Sequence, residues 1–418
     1  AAALLCLTGQ EHTRMIDIAL DWVSLLVRWT HVIAGIAWIG SSFYFIALDA
    51  GLQPNPRLDP RVKGEAWQVH GGGFYQIQKF AVAPEFMPEH LTWFKWEAYG
   101  TWIFGFALLV LVYYLNPSVY LIETSVLNID AADAVPAAAA SLVIGWFVYD
   151  LLCKSWFGRE TGRLAISGFV LLCAAAFGYT HVFSGRGAFI QVGALVGSIM
   201  AANVLFVIIP GQRKTVAALL AGEEPHPVWG QVAKQRSIHN NYLTLPVVFT
   251  MLSNHYAFTY ASPRWSWLIL ACIFVASFIV RHWFNTLNAG EPLGVKPDWR
   301  LWPAAAVPVA CAIGLGMLGQ PSASVADAGA APVTFADIRQ IVDQRCHVCH
   351  SARPSFPGFA EPPKGVMFDT PTQIKRQAPQ IMAQAVKTHT MPLGNVTEIT
   401  DAERSALGSW IVSGSRLE

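Results

Sequence analysis

The sequence predicts an all-α protein, in which a polytopic bundle of about eight transmembrane helices precedes a small separate domain. Its composition indicates this architecture, because 54% of the 418 residues are hydrophobic and only 13% are charged. An average soluble protein has about 25% charged residues, so a wholly water-soluble fold is excluded. The 28 Lys and Arg residues balance 27 Asp and Glu residues without forming a basic stripe, which argues against a nucleic acid partner.

Eight apolar runs are long enough, or nearly long enough, to cross the hydrocarbon core of a lipid bilayer, which takes about 20 helical residues. The third run is short, ends at Asp150 and is the weakest candidate. We place the spans at residues 22–48, 98–115, 136–152, 164–183, 188–209, 242–260, 265–287 and 301–319.

Lys and Arg residues are unequally divided between the loops that connect these spans. They concentrate in the odd-numbered loops, whereas the alternate loops hold only Arg186 and Arg264. Because Lys and Arg are retained on the cytoplasmic side of a membrane, the odd-numbered loops are predicted to lie inside. Both chain termini are therefore expected to face outward.

The composition divides the chain into four segments. Residues 1–14 form an N-terminal extension, whose short apolar stretch lacks the basic region that begins a secretory signal. Residues 15–319 hold the membrane spans. Residues 320–332 are small and almost uncharged, which predicts a flexible linker. Residues 333–418 are mixed and polar, and they suffice for a small domain with one core.

Cys346 and Cys349 have the spacing that attaches haem covalently. In the sequence Cys-His-Val-Cys-His, two thiols add to the vinyl groups of the porphyrin, and the adjacent His350 presents a nitrogen to the iron. A helix over residues 334–345 should precede this motif, and a helix over residues 400–412 should close the domain. Both begin with Thr followed three residues later by an acidic residue, the pattern of a capping box.

A second axial ligand of the iron should lie between these two helices. Met391 is the first candidate, because a loop that contains Pro and Gly could hold its thioether over the ring; Met367 and Met382 are alternatives. The competing interpretations of the motif are a redox dithiol and a zinc half-site. Zinc would need two further ligands, which His347 or His389 could supply only in an awkward arrangement.

With these features, residues 333–418 resemble a class I cytochrome c that carries one covalent haem c. Ligation by Met raises the reduction potential of such a haem, which suits an electron acceptor or relay. Attachment of haem to such motifs takes place outside the cytoplasm, and this agrees with the outward C-terminus that the charge distribution predicts.

Ionisable residues within a bilayer are costly and therefore mark candidate functional positions. One group is expected in the outer half of the membrane: Arg28, His31, His181 and His255. A second group is expected at or near the inner side, where it is interleaved with aromatic residues: His70, Lys79, Glu97, His239, Asn240, Asn241, Arg281 and His282. The second group could line a polar pocket, or its aromatic neighbours could simply anchor an interfacial segment. Histidines on different spans also leave open an additional non-covalent haem b.

Three segments of the membrane half carry distinctive motifs: HGGGFY at 70–75, WFKWEAY at 93–99 and IHNNYLTLP at 238–246. Together with the tethered haem motif, they resemble the membrane-bound cytochrome c urate oxidases of the PuuD family, and the resemblance spans essentially the whole chain from Met15. It implies oxidation of urate to 5-hydroxyisourate in purine breakdown. Electrons would leave through the haem domain to a soluble or membrane acceptor, on the periplasmic side of a bacterial inner membrane.

Urate is an electron-rich planar anion, so its site would need a cation, a base and amides that form hydrogen bonds with the edge of the ring. Arg281 or Lys79 could be the cation, and His239, His70 or Glu97 could be the base. Asn240 and Asn241 could supply the amides. A site on the inner side would be separated from the covalent haem by about 30 Å of hydrocarbon. Either a second redox group bridges this distance, or the pocket opens near the outer face.

Two other classes of function fit the same sequence. A membrane electron-transfer cytochrome would pass electrons from quinol to a soluble carrier without acting on a metabolite. A transporter could carry the haem domain as a redox sensor. Reduction of the haem by urate would distinguish the oxidase from both.

Overall fold

The computed structural model describes residues 2–80, 88–262, 264–290, 293–318, 333–357, 359 and 361–417, with the side chains of 2–14, 16 and 17 left out. The predicted linker at 320–332 lies outside the described residues.

Long antiparallel helices make up the first part of the chain, and seven of those described are long and apolar enough to cross a membrane. Large apolar side chains cover much of their outer surface, as lipid contact requires. The helices are α1 Ala2–Ala50, α2 Trp96–Leu109, α3 Pro117–Tyr120, α4 Ala131–Lys154, α5 Thr161–Thr180, α6 Gly185–Ala202, α7 Ile209–Leu220, α8 Pro227–Leu252, α9 Ser266–Gly290 and α10 Leu301–Leu318. Wider π-helical turns extend α2 through Val110–Tyr114 and join α6 to α7 through Asn203–Ile208.

Helix α8 corrects the sixth predicted span. That span was placed at 242–260 because the apolar run begins there, whereas the helix begins at Pro227 and ends at Leu252. The first half of α8 carries buried polar residues, among them Arg236 and Asn240, and packs against α6 and α9. Partners inside the bundle bind most polar atoms of these side chains, although Nε of Arg236 has none. Hydropathy alone therefore places the start of the helix too late.

A β-hairpin in the loop between α1 and α2 is a feature that the all-α prediction did not include. Strand β1, Val62–His70, pairs with β2, Gly73–Phe80, in antiparallel register. The turn between them is Gly71-Gly72, with φ angles of +58° and +80° that glycine adopts without steric cost. The hairpin marks one end of the bundle, which we call the hairpin end.

The C-terminal domain is helical, as predicted. Its helices are α11 Phe335–Arg345, α12 Pro371–Arg376, α13 Ala378–Ile381 and α14 Asp401–Val412. Both predicted capping boxes are confirmed, with Thr334 capping α11 and Thr400 capping α14. The first and last helices pack together, with the rings of Phe335 and Trp410 5.8 Å apart. A single core of buried apolar residues therefore holds this domain together.

The C-terminal domain packs against the bundle at the end opposite the hairpin, which we call the docking end. The loop around Gly394 touches α3 so closely that a Cβ atom at Gly394 would overlap the carbonyl oxygen of Ser118. The pKa of Glu123 is raised by burial at this junction, and the guanidinium of Arg404 in the C-terminal domain partly offsets that rise. The loop that contains Met391 thus faces the membrane helices rather than solvent alone.

Candidate functional site

Helix α8 presents polar side chains to two different neighbours within the bundle. Consecutive helical residues point about 100° apart, so Asn240 contacts α6 while Asn241 contacts α9. The amide of Asn240 donates to the carbonyl oxygen of Met200 at 3.0 Å, and the Asn241 oxygen accepts from Arg281 at 2.9 Å. Two polar clusters result, and they differ in how completely their hydrogen bonds are satisfied.

The first group, which we call the Tyr149 network, joins α4, α6 and α8. The Tyr149 hydroxyl lies 2.6 Å from Nδ1 of His239, and the Asn203 amide donates to the Asn240 oxygen at 2.9 Å. Asn203 begins the π-helical turn after α6, and this irregularity aims its side chain at Tyr149 and Asn240. The members therefore satisfy one another, which is the pattern of a structural network.

An ion pair anchors the Tyr149 network at its hairpin end. Nη2 of Arg236 lies 2.8 Å from the Asp150 carboxylate, and the arginine side chain is only 2% exposed. The predicted spans put Arg236 in the loop between 188–209 and 242–260, and the third predicted span ends near Asp150. Both residues instead lie within helices, and each neutralises the other in the bundle interior.

The second group, which we call the Arg281 cluster, joins α1, α8 and α9. Nε of Arg281 donates to the side-chain oxygen of Asn241 at 2.9 Å, and the Asn285 amide donates to the same oxygen at 2.9 Å. The guanidinium carbon lies 3.6 Å from the centroid of the Phe43 ring, which supports the cation from α1. Arg281 and Asn241 were both predicted as site residues, and the structure brings them together.

Hydrogen-bonding capacity is left over in the Arg281 cluster. Buried atoms without a partner include Nη2 of Arg281, Nδ2 of Asn241 and Oδ1 of Asn285. Among the described residues, the ion pairs with acidic side chains do not include Arg281. A buried, unpaired cation and unpaired amides are costly. The cluster is therefore suited to a ligand that brings negative charge, acceptors and a donor.

The other predicted residues lie outside the Arg281 cluster. His70 ends β1 and is exposed, and Lys79 on β2 pairs with Asp49 at the end of α1. His282 is exposed on α9, where its Nδ1 lies 2.8 Å from the Tyr242 hydroxyl. Glu97 in the first turn of α2 is half-buried, and its Oε2 has no hydrogen-bond partner. His239 and Asn240 belong to the Tyr149 network.

A cavity of about 640 Å³ opens between α1, α2, α6 and α8. Its walls are mainly apolar, and the predicted outer-half residues Arg28, His31 and His255 line it. Arg186, a predicted loop cation, lies in the same wall. His181 lies at the end of α5, with its Nδ1 2.7 Å from the carbonyl oxygen of Phe177. Local sequence patterns do not reveal such a cavity, because four separate helices form it.

Two features of the C-terminal domain suit the donor set that a covalent haem would use. Nδ1 of His350 donates to the carbonyl oxygen of Val366 at 3.0 Å, which leaves Nε2 as the free nitrogen. Burial lowers the pKa of His350 and so favours the neutral imidazole, the form that binds a metal. Met391 packs against the same core as Cys346. The chemistry of this donor set fits haem c.

The thiols of the motif lack the character of a redox dithiol. Burial raises the pKa of Cys346 to about 12 and also raises that of Cys349, whereas reactive dithiols have a lowered pKa. His347, a possible zinc ligand, has its Nε2 3.0 Å from the Asp369 carboxylate. In the part of the chain that is described, no three His, Cys, Asp or Glu side chains form a group that could hold a metal ion.

Arg404 of α14 holds the Met391 loop in place. Nη1 of Arg404 donates to the backbone carbonyls of Met391, at 2.8 Å, and of Ala385. Met391 N–H donates in turn to the carbonyl oxygen of Gln384 at 2.9 Å. A buried guanidinium thus fixes the backbone beside the candidate thioether ligand. This positioning role was not predicted, because the sequence shows only a cation in a helical pattern.

Comparison with known proteins gives one match. The family model described as "Urate oxidase N-terminal" matches residues 17–315, which include the bundle, the Tyr149 network and the Arg281 cluster. No curated protein and no solved structure matches the chain.

Proposed function

This chain belongs to the urate oxidase N-terminal family, and from that premise we propose that it oxidises urate to 5-hydroxyisourate and passes the electrons to a haem c in its own C-terminal domain. The Arg281 cluster carries the proposal. It combines a buried cation with amide groups that lack partners, inside the segment that the family model covers.

The Arg281 cluster matches the edge of a urate anion in charge and in hydrogen-bonding pattern. Urate is planar and presents carbonyl acceptors beside ring N–H donors. The free N–H groups of Arg281 and Asn241 would donate to the acceptors, and the free oxygen of Asn285 would accept from a ring N–H. Such contacts are strengthened where water is excluded. Phe43 keeps the guanidinium in place from the other side.

The reaction requires removal of protons as well as electrons. Urate and one water molecule yield 5-hydroxyisourate, two electrons and two protons, so a base has to stand near the ring. Glu97 is the candidate that we assign to this role. It lies outside the Arg281 cluster, in the first turn of α2, but α2 packs against α1, the helix that carries Phe43, and one of the Glu97 carboxylate oxygens is buried without a partner. His239 is the less favoured base, since its Nδ1 is already engaged with Tyr149.

The C-terminal domain would hold the haem through Cys346 and Cys349, with His350 and Met391 as axial ligands. Bound there, haem c supplies a one-electron acceptor outside the bilayer. The charge distribution of the loops supports a periplasmic position for this domain in a bacterial inner membrane. Arg404 keeps the Met391 loop fixed, and a soluble or membrane carrier would take the electrons onward.

Turnover with a soluble one-electron oxidant tests the proposed activity. Purified holoprotein supplied with urate and ferricyanide should consume two ferricyanide ions for each urate, and 5-hydroxyisourate should appear transiently in the ultraviolet spectrum. The control is the Cys346→Ala/Cys349→Ala variant, which should bind urate without this turnover. Turnover with a quinol but not with urate would contradict the proposal and favour the electron-transfer cytochrome.

Met391→Ala should lower the reduction potential of the haem, because a thioether ligand favours ferrous iron. A fall on the order of 100 mV is expected, within the ~0.8 V range that axial ligands span. The weak sulfur-to-iron absorption band should also disappear. Redox titration and near-infrared spectra measure both effects. Met382→Ala is the matched control and should leave the band in place; loss of the band only in that variant would reassign the ligand.

Gly394→Val should slow electron transfer into the C-terminal domain. The added side chain would clash with the Ser118 carbonyl and separate the Met391 loop from the docking end. We expect reduction of the haem by urate to be at least about tenfold slower, with an unchanged reduction potential, since rates fall steeply when positioning is lost. Stopped-flow absorbance measures the rate. Gly414→Val, at an open position of the same domain with positive φ, is the matched control; equal rates in the two variants would contradict the docking argument.

A further inference from the structure

We propose that the cavity between α1, α2, α6 and α8 binds a second, non-covalent haem, with His31 as an axial ligand. We infer binding from the cavity itself, and only the role of the haem rests on the proposed function. Its volume of about 640 Å³ falls within the roughly 300–1,000 Å³ of small-molecule and cofactor pockets.

A backbone hydrogen bond orients the imidazole of His31, as is common for histidines that bind metals. Its Nδ1 lies 2.9 Å from the carbonyl oxygen of Thr101 on α2, so Nδ1 is the protonated nitrogen and Nε2 carries the lone pair. Histidines that bind metals commonly donate their second nitrogen to a backbone carbonyl in this way. Gly105 makes room for the imidazole, since a Cβ atom there would lie 2.7 Å from Cε1 of His31.

Glycines leave space for a flat ring along the cavity walls. Gly35 on α1 and Gly197 on α6 both line the cavity, and a Cβ atom at either would meet only one side chain, at 3.8 Å. Apolar residues such as Trp38, Phe106 and Val247 make up most of the remaining wall. A rigid planar macrocycle fits such walls without displacing polar groups.

Two cations in the cavity wall could pair with the carboxylates of a haem. Arg28 and Arg186 both line the cavity. Arg186 donates from Nη2 to the carbonyl oxygen of Asn254 at 3.2 Å, and its buried Nε has no partner. A lipid tail would use none of these groups, and a quinone, whose carbonyl oxygens accept hydrogen bonds, has no negative charge for the two guanidinium groups to neutralise. The combination of one imidazole, two guanidinium groups and apolar walls selects an iron porphyrin with propionate groups.

The cavity also lies between the other two sites. At one end it is lined by Ser42 and Asn240, the chain neighbours of Phe43 and Asn241 in the Arg281 cluster. At the other end, Tyr120 and Arg186 are shared with a smaller cavity of about 190 Å³, which Thr390 and Leu393 of the Met391 loop line from the other side.

The hydrocarbon core of the membrane is about 30 Å thick. A haem in this cavity would replace one electron transfer over that distance by two shorter ones. Each transfer would reduce one ferric iron to ferrous iron, and the second would return the iron of the cavity haem to the ferric state. The two electrons of one urate would therefore leave in two successive steps, while the two protons leave by way of Glu97 and the water oxygen becomes the hydroxyl oxygen of the product.

Haem extraction tests this inference with protein matured in cells that attach haem c. Acidified acetone removes haem b but leaves the covalent haem, and the pyridine haemochrome spectrum quantifies each. We expect one extractable haem for each covalent haem. His31→Ala should remove the extractable haem and retain the covalent haem, whereas the matched control His181→Ala should retain both.

A second variant guards against misfolding of His31→Ala. Gly197→Leu places a side chain in the cavity without touching His31, and it should also remove the extractable haem while the covalent haem content shows that the protein has matured. An unmodified chain with covalent haem alone, or full extractable haem in both variants, would overturn the inference. If the unmodified protein contains covalent haem alone and urate still reduces it, this inference is overturned and the proposed function is supported. If the protein contains both haems and urate reduces neither, the proposed function is overturned and this inference is supported.

Discussion

Arg281→Gln should lower kcat/KM for urate by at least about 30-fold. The substitution keeps hydrogen-bond donors near Asn241 but removes the buried positive charge that would neutralise the anion. Truncating one partner of a buried, hydrogen-bonded charge pair costs about 2–5 kcal/mol, and every 1.4 kcal/mol is about tenfold. Steady-state turnover with ferricyanide measures the loss. Arg300→Gln, at an exposed arginine whose partner is Asp298, is the matched control.

Asn241→Asp is a more specific test of the same site, because it adds a carboxylate of nearly the same shape beside Arg281. The new carboxylate would pair with the guanidinium and occupy the place of the substrate charge, so KM should rise at least about tenfold while the protein stays folded. A purely structural Arg281 cluster would be stabilised by the same change without loss of activity. Activity within about threefold of the unmodified protein in both variants would exclude this cluster as the urate site.

Asp150→Asn should destabilise the bundle by about 3–5 kcal/mol, because it leaves Arg236 buried without its counter-charge. Unfolding of the detergent-solubilised protein, followed by intrinsic tryptophan fluorescence against denaturant, measures the change. Asp150→Asn combined with Arg236→Gln should recover part of the loss, since both charges are then removed. A double variant less stable than the single variant would contradict the assignment of this pair as a mutually neutralising one.

Asp49→Asn is the matched control for the buried pair. Asp49 pairs with Lys79 at the hairpin end, where both side chains are at least one-third exposed. Exposed ion pairs contribute about 0–1 kcal/mol, so this variant should be nearly as stable as the unmodified protein. Equal losses in Asp49→Asn and Asp150→Asn would show that burial of Arg236 is not the cause.

Local patterns predicted the parts of the fold that local interactions determine. Apolar runs gave most of the spans, and the Thr-to-acid spacing gave α11 and α14, because a capping box is formed by residues three positions apart. The hairpin was missed, although Gly71-Gly72 is a turn signal between two runs of alternating residues. In that stretch the aromatic density drew attention to a membrane interface instead.

Pairing across long sequence separations limited the prediction of the candidate site. Arg236 and Asp150 are 86 positions apart, and nothing near either residue indicates that the other neutralises it. Arg281 and Asn241 were recognised as residue types that suit an anion. Their contact with Asn285 and Phe43 depends on how α1, α8 and α9 pack. Sequence therefore supplies the candidates, and packing distinguishes the two groups. In the Tyr149 network the members bind one another and Nε of the anchoring Arg236 lacks a partner, whereas in the Arg281 cluster three residues each have a buried atom without a partner.

The most direct test is an anaerobic titration of oxidised holoprotein with urate, followed in the visible absorption bands of haem c. We expect these bands to become those of ferrous haem, with each urate delivering two electrons until all haem is reduced. Bands that stay oxidised with excess urate, in a sample whose haem dithionite reduces fully, would contradict it.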